Sequence, residues 1–348
     1  MILKSFYINL KSVQPSVTYI LRGIDLDSIE QICSEIRQLT DKVVKKNLTD
    51  GILFSGGLDT SIVAFAASKY TKLEAFTVAF ENSPALDLKY AKLMANLLKM
   101  NHTVNFFGEE EMHSAIQDVI KVLKVFDPMD IRNSVAAYVG LKAAKENGIK
   151  AMMTGDGLDE LLGGYSWLFG FNEKELKDYM SNMWQVMKFT SIPMAKSLGI
   201  VSKPPFIDPE FKSYVYNVDT KLMIRRERGK IWGKWIMRKA YEGLLPDQIV
   251  WRPKTPLEFG SGTTIFPKVF SEKLSDEYFQ KKVKKYQEAD QVTIRDKEHL
   301  FYYEIFRSHF GVPSEVFKDA EGKQCPLCKS KGDNVRNKFC KVCGAYPI

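Results

Sequence analysis

The chain has 348 residues, 45% of them hydrophobic and 26% charged, and a formal net charge of +8. This composition excludes an intrinsically disordered chain, and its length predicts about two to three domains. No apolar run approaches the roughly 18–20 residues that span a bilayer, and the first residues lack the features of a signal peptide. We therefore expect a cytoplasmic protein with no membrane partner.

The first half of the chain alternates predicted strands and helices. Short apolar runs that predict buried strands lie at residues 51–54, 73–80, 102–107 and 150–155. The stretches between them have the apolar spacing of helices, so residues 28–170 are predicted to form an α/β domain with a doubly wound parallel sheet. Residues 1–27 are predicted to be an N-terminal cap and 171–312 a mainly helical extension. In 313–348, a linker near 313–322 leads to a small ribbon that contains four cysteines.

Those four cysteines form two CxxC pairs, Cys325 with Cys328 and Cys340 with Cys343. This spacing favours a tetrahedral zinc site with four thiolate ligands. The alternatives are disulfides, which need an oxidising compartment, and a redox-active CxxC motif. Because the ribbon is too short to bury a core, we expect a structural Zn²⁺ to supply its folding energy. The fifth cysteine, Cys33, lies in a helical pattern and is expected to be buried.

A glycine-rich loop lies between the first predicted strand and the following helix. It reads Ser55-Gly56-Gly57-Leu58-Asp59-Thr60-Ser61. Adjacent glycines let the backbone direct its N–H groups at an anion, the hydroxyls add donors, and a helix N-terminus adds positive potential. The loop is not a Walker A motif, because no Gly-Lys-Ser/Thr follows. Asp59 would repel a phosphate unless a cation lies between them, which predicts a Mg²⁺ ligand; the alternative is an ordinary strand–helix turn.

Another glycine-rich loop follows the last predicted strand. It reads Thr154-Gly155-Asp156-Gly157-Leu158-Asp159-Glu160-Leu161-Leu162-Gly163-Gly164-Tyr165. In a doubly wound sheet, loops at the carboxyl ends of the strands share one crevice. Asp156 and Asp159 are therefore expected to join Asp59 around a metal–phosphate group.

The two loops resemble motifs of the N-type ATP pyrophosphatases, which have an adenine nucleotide α hydrolase-like fold. The loop at 55–61 is similar to their pyrophosphatase loop. The loop at 154–165 resembles the Gly-Asp/Glu-Gly-x-Asp-Glu-x-x-Gly-Gly-Tyr motif of the asparagine synthetase synthase domain and of the β-lactam synthetases. The similarity runs from about Ser28 to Gly262 and includes Phe76-Thr77-Val78-Ala79-Phe80, Asp87, Asn101-His102 and Trp251-Arg252-Pro253-Lys254.

The resemblance implies an ATP-dependent, AMP-forming carbon–nitrogen ligase. A substrate carboxylate, from aspartate or a related acid, would attack the α-phosphate of ATP and give an acyl-adenylate and pyrophosphate. Ammonia or an amine would then attack the acyl carbon and release AMP. The ATP-binding residues implied are Leu53, Ser55, Gly56, Gly57, Asp59, Thr60, Ser61, Val78, Gly155 and Asp159.

Within that set, Asp59 and Asp159 match the Mg²⁺ ligands, and Leu53, Val78 and Gly155 match backbone positions that hold adenosine. Three further residues would be catalytic. Lys254 matches a lysine that stabilises charge on the phosphate in the transition state, as a fixed cation can. Asp156 matches the acid that orients or deprotonates the amine. Arg132 could clamp a substrate carboxylate with two hydrogen bonds.

Three departures from the family qualify these expectations. Only 54 residues precede the loop at 55–61, so we expect no glutaminase domain, and the nitrogen would come from solution, another amine or a separate glutaminase subunit. Met129 and Asp130 stand where the family carries hydroxyl residues that recognise aspartate. A zinc ribbon is no part of ordinary asparagine synthetases, and this one is similar to the Cys₄ ribbons of tRNA-modifying ATP pyrophosphatases.

Two other functions therefore stay open. One is a tRNA-modifying ATP pyrophosphatase that docks RNA through the ribbon, and the other is a non-catalytic ATP-binding module. Eight basic residues and one acidic residue lie between 221 and 239, where they could face ATP phosphates, water or nucleic acid. The helical spacing of Trp232 and Trp235 predicts that both are core residues. A homodimer is also left open.

Overall fold

The computed structural model describes residues 26–332, 335–336 and 338–348. The predicted N-terminal cap lies outside the described residues, except where helix α1 (Leu26–Lys46) begins. Apolar residues recur on one face of α1, and Ile36 and Val43 are fully buried there. Within the described part of the chain, no helix is both long enough and apolar enough to cross a membrane.

A five-stranded sheet lies at the centre, with every neighbouring pair parallel. Its strands are β1 (Gly51–Leu53), β2 (Glu74–Phe80), β3 (Asn101–Phe107), β4 (Ala151–Met153) and β5 (Val201–Lys203). The order β3-β2-β1-β4-β5 places β1 between β2 and β4, so the order reverses there. This arrangement confirms the predicted doubly wound parallel sheet, and it puts the expected ligand crevice at the carboxyl ends of β1 and β4.

Successive residues of the strands pack into two cores on opposite faces of the sheet. Met153 belongs to the core under α1, whereas Met152 belongs to the core on the other face. The helices of the first half are α2 (Leu58–Ala67), α3 (Leu88–Leu97), α4 (Glu109–Leu123), α5 (Pro128–Glu146) and α6 (Leu158–Leu162). Both cores also contain residues from beyond 170, so the two halves of the chain fold together.

The second half is mostly helical, as predicted. Its helices are α7 (Glu173–Val186), α8 (Ser191–Ser197), α9 (Pro209–Val215), α10 (Trp235–Tyr241), α11 (Asp247–Val250), α12 (Leu257–Ser261), α13 (Phe266–Lys273), α14 (Asp276–Asp290), α15 (Lys297–Phe310) and α16 (Pro313–Val316). One unpredicted element is the edge strand β5, whose sequence Val201-Ser202-Lys203 carries one apolar residue. Another is the hairpin of β6 (Arg225–Glu227) and β7 (Lys230–Trp232). Both of its turn residues, Arg228 and Gly229, have positive φ, as a type I′ turn requires.

The ribbon packs against the body of the molecule. It contains a short hairpin of β8 (Val335–Arg336) and β9 (Phe339–Cys340). Its four cysteines are buried in the same core as Phe126, Tyr303 and Phe306. The ribbon is therefore part of one hydrophobic core with α5 and α15.

Candidate functional site

The first glycine-rich loop leaves β1 and enters α2 in a conformation open to an anion. Gly56 has φ +62°, and a Cβ there would lie 2.2 Å from the backbone nitrogen of Ala91, so only glycine fits. The N-cap residue, Gly57, provides no side chain to cap the first N–H groups of α2. Those groups are the donors that helix N-termini offer to phosphates.

Hydroxyl groups surround this loop. The Oγ of Ser55 accepts a hydrogen bond from the backbone N–H of Gly57 at 3.2 Å, and it lies 3.2 Å from Oγ1 of Thr60. The Oγ of Ser61 is buried and has no hydrogen-bond partner among the described residues. A buried hydroxyl without a partner is costly unless a ligand or water satisfies it, so Ser61 fits a phosphate-binding role.

The second glycine-rich loop lies directly against the first. A Cβ at Gly155 would lie 3.0 Å from Cβ of Asp59 and 3.1 Å from the backbone nitrogen of Thr60. Helix α6 follows and carries Asp159, and the backbone of Gly164 packs so closely that a Cβ there would meet its carboxylate. The predicted convergence of the two loops is thus present.

Four charged side chains meet between these loops, and we call them the lysine–aspartate cluster: Asp59, Asp159, Lys234 and Lys254. The Nζ of Lys234 lies 2.7 Å from both carboxylate oxygens of Asp59 and 2.6 Å from Oδ1 of Asp159. The Nζ of Lys254 lies 2.6 Å from Oδ2 of Asp159. The cluster therefore holds two cations and two anions in direct contact.

The charges of the cluster stabilise one another. Burial opposes ionisation of Asp159, but the ammonium groups of Lys234 and Lys254 together hold its pKa below the usual value. Burial likewise opposes the charge of Lys254, and Asp159 and Asp59 outweigh it and raise the pKa of that lysine. Both groups stay charged near neutral pH. Lys254 also keeps 37% of its side chain exposed, so a ligand can reach it.

Sequence reasoning did not single out Lys234. It counted this lysine within the basic stretch 221–239, yet its side chain is only 3% exposed. The reason is the turn before it, where a Cβ at Gly233 would lie 2.2 Å from the carbonyl oxygen of Gly163. This close approach brings the chain onto the second loop, and the backbone N–H of Lys234 donates to the carbonyl of Leu162 at 3.0 Å. The sequence signal that could have identified Lys234 as a buried residue is its position between Gly233 and Trp235, a predicted core residue.

Asp156 lies partly buried beside the cluster. Its Oδ2 accepts hydrogen bonds from Oγ1 of Thr154 at 2.8 Å and from Oγ of Ser191 on α8. Burial raises the pKa of Asp156, while the two hydroxyl donors work in the opposite direction. A carboxylate with a raised pKa is the kind of group that acts as a general base near neutral pH.

Two of the three residues expected to border adenosine, Leu53 and Val78, both lie against α5; the third, Gly155, lies against the first loop. Gly140 of that helix is so close that a Cβ there would lie 2.7 Å from Cδ2 of Leu53 and 3.2 Å from Cγ1 of Val78. Both residues are only partly buried. Their place on adjacent strands next to the first loop agrees with an adenosine site, which stays a prediction.

Arg132 lies in a different group, the arginine–glutamate cluster, formed by Arg132, Glu258 and Glu298. Its guanidinium lies 3.0 Å from Oε2 of Glu258 and 3.4 Å from Oε2 of Glu298. Burial raises the pKa of Glu298 to about 7, although Arg132 opposes this shift. No ion pair among the described residues joins Arg132 to the lysine–aspartate cluster. Its role as a clamp for substrate stays a prediction, because a substrate carboxylate would compete with two internal ones.

The four ribbon cysteines come together as their spacing predicts. Cys325, Cys328, Cys340 and Cys343 are buried, and their sulfur atoms all lie within 4.8 Å of one another. All five cysteines of the chain are free thiols, and Cys33 is buried, as expected. Four convergent sulfur atoms match the donor set and number that a structural Zn²⁺ takes.

Comparisons with known proteins agree with this geometry. The family model Asparagine synthase matches residues 35–190 and 172–328. A probable glutamine-hydrolysing asparagine synthetase of Acanthamoeba polyphaga mimivirus is 29% identical over 305 residues, which cover 82% of this chain and 54% of the relative. The glutamine-hydrolysing asparagine synthetase of Mus musculus is 28% identical over 326 residues, covering 86% of this chain and 56% of the relative.

A third relative, the glutamine-hydrolysing asparagine synthetase of Zea mays, is 30% identical over 254 residues, covering 65% of this chain and 42% of the relative. The chain thus spans about half the length of the curated relatives it matches. A solved NMN synthetase from Francisella tularensis is 13% identical with a TM-score of 0.29, covering 57% of this chain and 99% of that one. That TM-score is too low to support an argument. The family model, by contrast, matches most of the chain, and the chain therefore belongs to the asparagine synthase family.

Proposed function

We propose that this chain is an ATP-dependent, AMP-forming amide ligase. It adenylates a substrate carboxylate, from aspartate or a related acid, releases pyrophosphate, and then transfers ammonia or an amine with release of AMP. The observation that carries the proposal is the lysine–aspartate cluster, which lies between two glycine-rich loops where the strand order reverses.

The residues around this cluster fit ATP. The uncapped N–H groups of α2 and the unpartnered hydroxyl of Ser61 would bind the phosphates. Asp59 and Asp159 offer the carboxylate oxygens that Mg²⁺ prefers, although here they share the ammonium of Lys234. When bound, Mg²⁺ would offset the phosphate charge that these carboxylates otherwise repel.

The protein's own side chains would then divide the work. Lys254 is charged, paired on one side and exposed on the other, so it can stabilise negative charge that develops on the α-phosphate. Lys234 is held in place by both aspartates and would fix the cluster around the pyrophosphate. Asp156 would accept a proton from the attacking ammonia or amine. The energetic advantage is that these charges are positioned before the reaction begins.

The ribbon cysteines would bind a structural Zn²⁺. Four thiolates must stay reduced to hold the metal, which is the condition found in the cytoplasm, and we place the enzyme there. A tRNA-docking role for the ribbon remains the second candidate. The packing of the ribbon into the core with α5 and α15 favours a role within the ligase instead.

The test is the nucleotide product. The full chain is incubated with ATP, Mg²⁺ and a panel of acids that begins with aspartate, with either ammonium or glutamine as the nitrogen source. We expect pyrophosphate and AMP in equal amounts, dependent on one acid and on ammonium. An Asp159→Asn variant should abolish both, whereas a Lys42→Met variant, which removes an exposed ion pair on α1, should change neither.

Other outcomes would count against the ligase. ADP and phosphate as products would contradict an acyl-adenylate. Stimulation by tRNA and by no acid would replace the ligase with the RNA-modifying alternative. ATP binding without turnover on any substrate would favour a non-catalytic module.

A further inference from the structure

The ribbon makes polar contacts with the segment where α5 begins and with the segment that precedes α15. The backbone N–H of Phe126 donates to the carbonyl of Val342 at 2.7 Å. The guanidinium of Arg295 donates through Nη2 to the carbonyl of Cys343 at 2.6 Å. These bonds join the second CxxC pair to two separate parts of the body. We call residues 126–132 the α5 entry, because they contain the cap and the first turn of that helix.

The ribbon covers one carboxyl group at the α5 entry, that of Asp127. Asp127 is the N-cap of α5, and its Oδ1 accepts a hydrogen bond from the backbone N–H of Met129 at 3.1 Å. Its Oδ2 is buried without a hydrogen-bond partner in the described part of the chain. Gly344 lies so close that a Cβ there would stand 2.1 Å from Oδ1. The turn at residues 343–344 therefore covers Asp127, the N-cap residue of α5.

The same contacts extend to Arg132. Helix α15 carries Glu298, which pairs with Arg132, and His299, whose ring stacks on Phe126 with centroids 5.2 Å apart. Arg295 precedes this helix, and its backbone N–H donates to Nδ1 of His299 at 3.2 Å. The ribbon, α15 and the α5 entry are therefore packed as one unit, with Arg132 at its edge.

The first CxxC pair is tied to the body as well. The backbone N–H of Thr293 donates to the carbonyl of Leu327 at 2.8 Å. Because a segment of this size cannot bury a core of its own, we expect its shape to depend on the metal that the four thiolates would hold, in addition to its packing against the body. Loss of that metal would release both the cap contact at Gly344 and the bond from Arg295.

We propose that the metal-loaded ribbon is a positioning element for the acid-substrate site, because its turn at 343–344 holds the α5 entry and thereby sets the orientation of Arg132. The ribbon's hydrogen bonds to Phe126, Thr293 and Arg295 reach no residue of the lysine–aspartate cluster, so we expect it to act on the acid substrate and not on ATP. The assignment of the acid to this end of α5 rests on the proposed function. The contact between ribbon and α5 entry does not.

The kinetic test is a Gly344→Ala variant of the full chain. Its Cβ would collide with Asp127, so we expect the KM for the acid to rise roughly tenfold, within the usual range for coupling between two sites. The KM for ATP, the kcat and a content of one zinc per chain should stay unchanged. The matched control is Gly148→Ala at the other end of α5, where φ is also positive (+82°) and nothing lies within 4 Å of the added carbon.

The second measurement needs no turnover. Hydrogen exchange is followed at the α5 entry and at residues 54–61, before and after a chelator removes the metal from the full chain. We expect exchange at residues 126–132 to accelerate roughly tenfold or more, and exchange at 54–61 to stay unchanged. An Arg295→Gln variant, which lacks the hydrogen bond to Cys343, should accelerate exchange at residues 126–132 by a smaller factor. It replaces Gly344→Ala as the test variant if Gly344→Ala fails to fold.

The outcomes separate this inference from the proposed function. If no acid supports pyrophosphate release but metal removal still loosens residues 126–132, the ligase proposal fails and the structural coupling stands. Exchange at 126–132 that does not respond to metal removal overturns the inference, whatever the activity. So does an acid KM that is the same in Gly344→Ala and Gly148→Ala.

Discussion

Among the described residues, the lysine–aspartate cluster and the arginine–glutamate cluster combine their charges in opposite ways. The lysine–aspartate cluster sets two ammonium groups against two carboxylates, and it lies beside uncapped N–H groups and a partly exposed lysine. The arginine–glutamate cluster sets one guanidinium against two carboxylates, which are carried by α12 and α15. The first is balanced in charge. The second carries one acid more than its cation can neutralise.

The pKa values of the acids in the two clusters also differ in how they shift. In the first cluster, despite burial, Lys234 and Lys254 hold the pKa of Asp159 below its usual value. Burial raises the pKa of Asp59, although Lys234 opposes the shift. Asp159 and Lys254 therefore present fixed charge to a ligand.

In the second cluster burial raises the pKa of Glu298 to about 7; Arg132 opposes this shift, and the nearby carboxylates of Asp296 and Glu258 add to it. The two clusters should therefore behave differently on mutation and on a change of pH.

The largest effect is expected when the shared cation is removed. Lys234→Met would leave Asp59 and Asp159 buried without their common partner, and the free energy of unfolding should fall by about 3–5 kcal/mol. Denaturant titration measures it, with Lys42→Met as the exposed control, expected to change stability by less than about 1 kcal/mol. If the two aspartates bind Mg²⁺, the ion should stabilise the variant more than the wild type. A loss as small as the control's would mean that the pairs contribute little.

Next in size is the effect of removing the exposed cation. Lys254→Met should slow acid-dependent pyrophosphate release by roughly 10²–10³-fold, because a fixed charge near the phosphate is lost. The fold should persist, since Lys254 is partly exposed and Lys234 still pairs with Asp159. Steady-state kinetics of pyrophosphate release measures this loss. Lys268→Met, which changes an exposed lysine on α13, is the control and should leave the rate unchanged. A rate reduction of less than tenfold would contradict a role for Lys254 at the reacting phosphate.

The arginine–glutamate cluster should make the free energy of unfolding depend on pH. Because the folded state raises the pKa of Glu298 to about 7, it binds the proton more tightly than the unfolded chain does. This contribution to stability is complete below about pH 4.5 and is lost as the pH rises through about 7. Relative to Glu298→Gln, the wild type should therefore lose about 2–3 kcal/mol of unfolding free energy between about pH 5 and pH 8.

Denaturant titrations across that range measure this difference. Glu288→Gln, an exposed position on α14, is the control and should parallel the wild type at every pH. Parallel curves for wild type and Glu298→Gln would contradict a raised pKa of Glu298 in the folded protein.

The smallest effect is expected at Asp156. Ser191→Ala removes one of the two hydroxyl donors that oppose the burial-driven rise of its pKa. That pKa should rise further, so the acid limb of the pH profile of kcat/KM should move to higher pH by up to about one unit. Ser197→Ala, in the same helix but bonded to the carbonyl of Met194, should leave the profile in place. An unmoved profile in both variants would mean that Asp156 is not the base.

The features that could be predicted from the sequence are those that depend on neighbouring residues. The strand runs, the two loops and the CxxC pairs were all found because each depends on residues within one short segment. Positive φ at Gly56 and Gly157 requires glycine there, and a tetrahedral site requires closely spaced thiols. β5 was missed because its three residues carry almost no apolar signal, and the β6–β7 hairpin because its residues are mostly charged.

Ion pairs between residues far apart in the sequence could not be predicted from local patterns. Lys234 is 175 residues from Asp59, and Arg132 is 166 residues from Glu298. The sequence by itself determined which segments could cradle a phosphate or bind a metal, because those properties depend on backbone conformation and ligand spacing. The tertiary structure alone decided that Lys234 completes the first cluster, that Arg132 is already paired, and that the ribbon covers the start of α5. Charge pairing and coverage depend on which surfaces pack together, and packing joins residues without regard to their distance along the chain.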